Sequence, residues 1–233
     1  TYRSHAPAYI TYRESTHVDG ANRSEDINRA VAVRVADDYA VMQDLPQGAR
    51  RTGPAFPVIP FFDPFSTFAF SYFANLHKID ITFDPGAPYY FPIPPVDPTV
   101  DAVVPYMSEF DPRYAPDSTD DALHVLIDPT SRTGSGDFYP SDVSEDPQSH
   151  LPSHVTMQVN ASDMVIGLDY GIVDGYWVIT RGTWSATQHV MGLTFKVNAV
   201  TTFSDFAFPT TAPDPQLAGT PRPSPSPSAS PTP

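Results

Sequence analysis

The stretch 192–203 reads GLTFKVNAVTTF and decides the fold class. Apolar and polar residues alternate along it, which is the period of a β-strand with one face in a core and the other in solvent. The stretch therefore predicts a long strand. Its expected core face carries Leu193, Phe195, Val197 and Ala199, and its expected solvent face carries Thr194, Lys196 and Asn198.

Working outward from this stretch, several shorter segments also have strand character. β-Branched content or alternation predicts strands at 30–36, 76–83, 155–159 and 176–180. Residues 89–94, YYFPIP, predict an edge strand because prolines interrupt them. Residues 122–127, ALHVLI, fit either a short strand or one helical turn, and 64–75, PFSTFAFSYFAN, predict a short helix.

Proline content points the same way, since the chain contains 28 prolines among 233 residues. Proline lacks a backbone donor and breaks helix interiors, so prolines spread over the chain favour short strands and irregular loops. We expect an all-β fold with two packed sheets over 30–208 and at most two or three short helices. The expected divisions are an extended arm at 1–27, a β-domain at 28–209 with a long acidic loop insertion at about 95–153, and a disordered Pro/Ser-rich tail at 210–233.

Charge and cysteine content limit the functions. The formal net charge is −14, so binding of nucleic acid over the whole surface is excluded. Seven of the thirteen basic residues lie within 1–51, which leaves that region neutral and makes it the only part suited to approach RNA.

The chain has no cysteine, which rules out disulfides and thiolate metal sites and favours assembly in a reducing cytosol. No apolar run is long enough to span a membrane, and the start at Thr1 suggests processing.

No residue pattern indicates catalysis or a cofactor. Hydrolase, metalloprotease and nucleotide-binding motifs are missing, so we expect no catalytic, cofactor or metal residues and no enzyme activity. Gly134–Asp137 is interpreted as a loop, and Pro152 separates His150 from His154, which argues against a shared metal. Residues 117–121 offer carboxylates to calcium but lack the spacing of a calcium loop. The sequons at Asn22 and Asn160 matter only in a secreted chain.

Two stretches resemble the jelly-roll capsid proteins of picornaviruses. Residues 65–83, FSTFAFSYFANLHKIDITF, are similar to that family's aromatic-rich short helix running into a strand. Residues 170–209 are similar to its last two strands and its aromatic-proline exit. The likeness is greatest to the subunit around the five-fold axes, and the proline-rich end is also seen in kobuviruses.

The resemblance implies an eight-stranded jelly-roll sandwich that forms the icosahedral shell of a small RNA virus. It implies other capsid subunits and copies of the same chain as partners, a host receptor at the outer loops, and a virion assembled in host cytoplasm. The acidic segment and the tail would face outward, with the arm inside near the genomic RNA. Two alternatives stay open: a secreted bacterial β-sandwich binding module with a Pro/Ser linker and, less favoured, a secreted hydrolase with paired carboxylates.

Overall fold

The structure is a computed structural model, and it describes residues 7–20, 23–35, 39–46, 89–92, 110–130, 138–159, 163–190, 193–215 and 217–218. Eleven strands account for most of these residues. They are β1 (Tyr9–Gly20), β2 (Arg23–Val35), β3 (Tyr39–Asp44), β4 (Tyr89–Pro92), β5 (Phe110–Tyr114), β6 (His124–Pro129), β7 (Phe138–Glu145), β8 (Pro152–Val159), β9 (Val165–Val173), β10 (Tyr176–Val190) and β11 (Leu193–Ala207).

All eleven strands belong to one antiparallel sheet, in the order β4-β3-β2-β1-β11-β10-β9-β8-β7-β6-β5. The order is two meanders placed side by side, because β1–β4 run outward to one edge and β5–β11 run inward from the other. The meanders meet at the β1–β11 pair, which we call the seam. At the seam, Glu14 lies opposite Phe203 and Thr16 lies opposite Thr201.

The two faces of the sheet differ in polarity because side chains alternate along every strand. The inner face carries the buried apolar residues, among them Ile10, Val31, Val33, Val155 and Met157, all fully buried. The outer face carries a polar row that crosses eight strands in register. This row consists of His124, Ser144, His154, Asp169, Arg181, Thr202, Ser15 and Asn28.

Tight turns and bulges shape the central strands. Asp174 and Gly175 both have positive φ, of 50° and 83°, and form the two-residue turn between β9 and β10. An Asp-Gly turn of this kind matches the right-handed twist of the strands that it joins. The β9–β10 pair has a register shift at 179–181, and the β1–β11 pair has one between Thr11 and Arg13. The pairing of β10 with β11 ends nearby, at Arg181 and Thr202.

The alternating stretches were predicted correctly as strands. The segments 30–36, 155–159, 176–180 and 192–203 lie mainly in β2, β8, β10 and β11. In β11, Val197 and Ala199 lie on the inner face, while Lys196 and Asn198 are exposed. The edge-strand prediction at 89–94 is also confirmed, since β4 ends the sheet, and 122–127 contributes to a strand rather than a helical turn.

The expected jelly-roll architecture is wrong. A jelly roll packs two sheets against each other through Greek-key connections, whereas here the described strands form one sheet in which nearly all neighbours are also neighbours in the chain. Alternation alone could not distinguish the two arrangements, because a strand with one buried face has the same pattern in either. The coarser prediction of an all-β fold is confirmed among the described residues.

Two expected irregular regions are instead part of the sheet. Residues 1–27 were expected to form an arm, but β1 within them is a central strand paired on both sides, with Ile10 and Tyr12 buried. The acidic segment 95–153, expected to be a surface loop, contains β5, β6 and β7. The expectation that the arm lies inside a particle and the acidic segment outside it assumed two irregular regions, whereas both contribute strands to the sheet.

The first residues of the expected tail are folded onto the sheet. Leu217 is fully buried against Ala32, and Tyr9 and Leu45 pack around it. The Arg34 guanidinium donates a hydrogen bond to the Leu217 carbonyl over 3.2 Å. The predicted helix at 64–75, the predicted strand at 76–83 and residues 219–233 lie outside the described residues.

Candidate binding face

The inner face is closed at one end by aromatic side chains. Tyr12 packs edge-on against Phe203, with ring centroids 5.6 Å apart, and lies 6.0 Å from Phe206. Phe208 then stacks near Phe206 and packs against Tyr176 at 4.3 Å. These rings span the place where β10 and β11 no longer pair, so apolar contacts replace backbone hydrogen bonds there.

The opposite end of the inner face is apolar but still reaches solvent. Here Val18 lies opposite Ala199, which lies opposite Trp184, so the side chains form a row across β1, β11 and β10. Five residues of this end are partly exposed and define what we call the apolar patch: Val18, Ile27, Trp184, Phe195 and Val197. A contiguous accessible apolar surface of this kind often marks a binding site.

A polar cluster lies between the closed end and the apolar patch. It consists of Glu14, Thr16, Arg29 and Thr201, which are contributed by β1, β2 and β11. Glu14 and Arg29 lie opposite each other, with their side chains only 10% and 8% exposed. Arg29 Nη1 donates to Glu14 Oε1 over 3.2 Å, and the Thr16 hydroxyl lies 3.3 Å from that oxygen and 2.9 Å from the Thr201 hydroxyl.

The polar cluster leaves donor capacity on Arg29. The bond to Glu14 is the one hydrogen bond of this guanidinium within the described part of the chain, and its Nε atom is buried with no acceptor there. A guanidinium has five N–H donors, and a buried donor without an acceptor costs about 1–3 kcal/mol.

On the outer face, His124 lies between two carboxylates, those of Asp117 and Asp142. Its Nδ1 lies 2.7 Å from Asp117 Oδ1, and its Nε2 lies 3.1 Å from Asp142 Oδ1. Burial disfavours the charged ring, but the hydrogen bonds to Asp117 and Asp142 outweigh burial and raise the pKa of His124. The hydrogen bond from His124 lowers the pKa of Asp117 in turn.

Several other charged residues of the outer face also form ion pairs. Asp169 accepts from His154 and from Arg181, whose Nη1 lies 3.1 Å away. Next to this row is a cleft of about 230 Å³ in which Arg113 is paired with Asp128 at 2.7 Å. The charged side chains of these pairs therefore neutralise one another within the outer face. The cleft is lined by Arg113, Leu126, Asp128, Ser141, Asp142, Thr156 and Gln158.

The site residues considered in the sequence analysis do not come together in one site among the described residues. His150 bonds Glu145 while His154 bonds Asp169 and Thr156, so the two histidines have different partners. Within 117–121, Asp117 is held by His124, and the described residues contain no group of three or more His, Cys, Asp or Glu suited to a metal. Gly134–Asp137, Asn22 and Asn160 lie outside the described residues.

The polar cluster was missed because residues 1–27 were interpreted as an arm. A signal was present, since Ile10, Tyr12, Thr16 and Val18 occupy alternate positions, with Glu14 between them. A charged residue at a core position breaks the apolar pattern, and its partner Arg29 is recognisable only once the β1–β2 register is known. Among the described residues, no helix has the length and apolarity needed to cross a membrane.

Comparisons with known proteins gave only distant structural likenesses. No protein-family model matches the sequence, and no curated protein matches it. A putative outer membrane lipoprotein-sorting protein domain from Vibrio parahaemolyticus is similar with a TM-score of 0.40 and 12% identity, over 88% of this chain and 86% of that chain. A DUF1329 family protein from Desulfovibrio piger is similar with a TM-score of 0.36 and 8% identity, over 88% of each chain.

The expected kinship with picornavirus capsid proteins is wrong. The described strands form a single sheet with nearly sequential strand order, which differs from the two packed sheets of the capsid fold. The roles implied by that resemblance fall with it: shell subunit, partner capsid subunits, host receptor, genomic RNA and virion. Of the stretches that suggested it, 170–209 contains aromatic-rich strands, a pattern that many β-proteins have, and 65–83 lies outside the described residues.

Proposed function

We propose that this chain is a secreted bacterial binding module, not an enzyme, and that it holds an amphiphile on the inner face of its sheet. The observation that carries the proposal is the apolar patch. Val18, Trp184, Phe195 and Val197 lie on the buried side of the sheet yet remain partly exposed. A hydrocarbon chain laid on this patch would remove apolar area from water, at about 25 cal/mol per Å².

The position of the polar cluster favours an amphiphile over a purely apolar ligand. Thr16 and Ile27 lie opposite each other, one step beyond the Glu14–Arg29 pair, so polar and apolar groups adjoin on one surface. A ligand with a hydrocarbon chain and one polar group would satisfy both parts. The Pro/Ser-rich sequence of 221–233 suits a linker to a cell surface or another module.

Fluorescence offers a direct test because Trp184 belongs to the apolar patch. In a Trp177→Phe variant, Trp184 is the sole tryptophan, and a bromine-labelled single-chain amphiphile should quench it in a saturable manner. Val197→Asp should weaken binding at least tenfold, because it places a charge under the hydrocarbon chain.

The matched control is Asn198→Asp, which introduces the same side chain at the next position, on the exposed outer face. It should leave binding unchanged. Equal loss of binding in both variants, or no saturable quenching in the parent protein, would contradict the proposal. Absence of turnover of ester, glycoside and phosphate substrates is expected, and a reproducible activity that follows the purified protein would overturn the non-enzymatic part.

A further inference from the structure

The cleft on the outer face opens where two neighbouring strands stop pairing. The pairing of β6 with β7 ends at Leu126 and Asp142, although both strands are longer than their paired part. β6 goes on to Pro129 against β5, and β7 begins at Phe138 against β8. The two strands therefore diverge, and the cleft of about 230 Å³ lies at this divergence, lined by residues of β5, β6, β7 and β8.

A bulge in β7 adds a side chain to the cleft. The register of β7 against β8 shifts between Pro140 and Asp142, so Ser141 falls outside the alternation of the strand. Ser141 and Asp142 both line the cleft, which two consecutive residues of a regular strand would not do. Bulges redirect side chains in this way and occur often beside active sites. The lining therefore depends on two departures from regular strand pairing.

We propose that this cleft binds one ring of a neutral carbohydrate through its hydroxyl groups. The site goes beyond the amphiphile-binding function, because it lies on the opposite face of the sheet and shares no residue with the polar cluster or the apolar patch. Its volume is below the roughly 300–1,000 Å³ of a pocket for a drug-sized molecule, which suits a single sugar ring.

The lining offers both donors and acceptors of hydrogen bonds. The Arg113 guanidinium has five N–H donors, and its bond to Asp128 Oδ2 over 2.7 Å uses one of them. The Ser141 hydroxyl donates to the Thr156 carbonyl and keeps lone pairs that can accept, as do the carboxylates of the cleft. A sugar hydroxyl both donates and accepts, so adjacent hydroxyls of one ring can bond both kinds of group.

The Arg113–Asp128 pair is accessible to a ligand. Its side chains are 52% and 60% exposed, and an ion pair with this much exposure contributes little to stability. Ligand hydroxyls can therefore bridge the two ions without burying an unpaired charge. Leu126, the apolar residue of the lining, offers a surface to the C–H groups of a sugar ring.

The charges of the lining favour a neutral ligand. Two carboxylates and one guanidinium line the cleft, so an anionic ligand would meet excess negative charge there and the net charge of −14 around it. A cationic ligand would meet the Arg113 guanidinium, and Asp142 already accepts from His124 Nε2 over 3.1 Å. A polyhydroxyl ligand avoids both penalties.

The experiment titrates the isotopically labelled full chain with the methyl glycosides of glucose, galactose and mannose and follows it by NMR. At least one of the three should shift the amide signals of Leu126, Asp142 and Thr156 in a saturable manner. Glucuronate and glucosamine, the charged counterparts of glucose, should each bind at least tenfold more weakly than the best neutral glycoside when both are ionised.

Arg113→Gln should weaken binding of that glycoside at least tenfold, because it removes charge-assisted hydrogen bonds. The matched control is Arg13→Gln, which breaks an exposed ion pair with Asp205 outside the cleft and should leave the affinity unchanged. In the Trp177→Phe background, Arg113→Gln should leave the quenching of Trp184 by the amphiphile unchanged, so the two sites are tested separately.

Three results would overturn the inference: no saturable shift with any of the three glycosides, shifts confined to residues outside the cleft, or equal loss of affinity in the two arginine variants. Tighter binding of either charged sugar than of every neutral glycoside would overturn it as well. If Arg113→Gln does not fold, as judged by circular dichroism, the comparison of neutral and charged sugars in the unmodified protein decides. Each of these results leaves amphiphile binding on the inner face intact, because that binding is measured at Trp184.

Discussion

His124 joins the turn after β5 to strand β7, since its ring bonds Asp117 on one side and Asp142 on the other. The raised pKa of His124 means that its contribution to stability is complete below the ordinary histidine value of 6.5 and is lost as the pH rises through the folded value. The lowered pKa of Asp117 means that its contribution is present above the ordinary value of 3.8 and is lost as the pH falls through the folded value.

We therefore predict that His124→Gln lowers the melting temperature most between about pH 4 and 6.5. Above the folded pKa of His124, where the parent protein has lost this contribution, the difference between the two proteins should be smaller. Thermal unfolding followed by circular dichroism over this range measures it. His17→Gln is a suitable control, because His17 is exposed and bonds one carboxylate, that of Asp26. A difference that grows with increasing pH would contradict the assignment.

The Glu14–Arg29 pair predicts an asymmetric response to mutation. Arg29→Met removes the cationic partner that Arg29 supplies to the buried Glu14 and should reduce the free energy of unfolding by about 3–5 kcal/mol. The double replacement Glu14→Leu with Arg29→Met removes both charges and should recover much of that loss. Urea unfolding of the two variants tests this, and a double variant that is less stable than Arg29→Met would show that the pair is not an isolated ionic unit.

At the scale of elements, β9 packs closely against β10 because Gly167 lies opposite Thr183 in the neighbouring strand. A Cβ added at Gly167 would lie 2.6 Å from Thr183 Oγ1, closer than atoms pack, because the two residues lie opposite each other on the outer face. Gly167→Ala should therefore destabilise the protein by about 1–3 kcal/mol through overpacking. Adding Thr183→Ala to this variant removes the clashing oxygen and should restore most of the loss.

A double-mutant cycle in urea measures the coupling between these two positions. If the effects of Gly167→Ala and Thr183→Ala simply add, the clash is not the cause of the loss. Gly175→Ala serves as a contrast, since an added Cβ there would meet no atom within 4 Å and any loss would come from its φ of 83°. Its destabilisation should not respond to Thr183→Ala.

Two of the strands found by sequence reasoning, β8 and β11, show alternation of apolar and polar residues, and their positions followed from the period of two. Others, such as 30–36 in β2, were found from their β-branched residues. β5 and β7 contain Pro112 and Pro140, which removed the strand signal, while Glu14 interrupted the apolar face of β1. The polar cluster was not predictable for a related reason: it forms only through the pairing of β1 with β2 and β11, and pairing partners are not encoded in the period of a single strand.

At the scale of the whole molecule, the strand pairs differ in how far apart their residues lie along the chain. Most strand pairs join neighbours in the chain, such as β9 with β10 through the turn at Asp174 and Gly175. The seam is the exception, because the hydrogen bond between Thr16 and Thr201 joins residues 185 positions apart. Within the described strands, the only contact between the meanders through the sheet is therefore this single pair.

The seam has a kinetic consequence. Closing so long a loop costs chain entropy before any contact compensates for it, so hairpins should form first and the β1–β11 pair last. Pulse-labelling hydrogen exchange during refolding should show amides of β9 and β10 protected in an early phase and amides of β1 facing β11 protected only in the final phase. Simultaneous protection would contradict this order. Until that final step, the facing edges of β1 and β11 are open templates for another chain, so the refolding yield should fall as protein concentration rises.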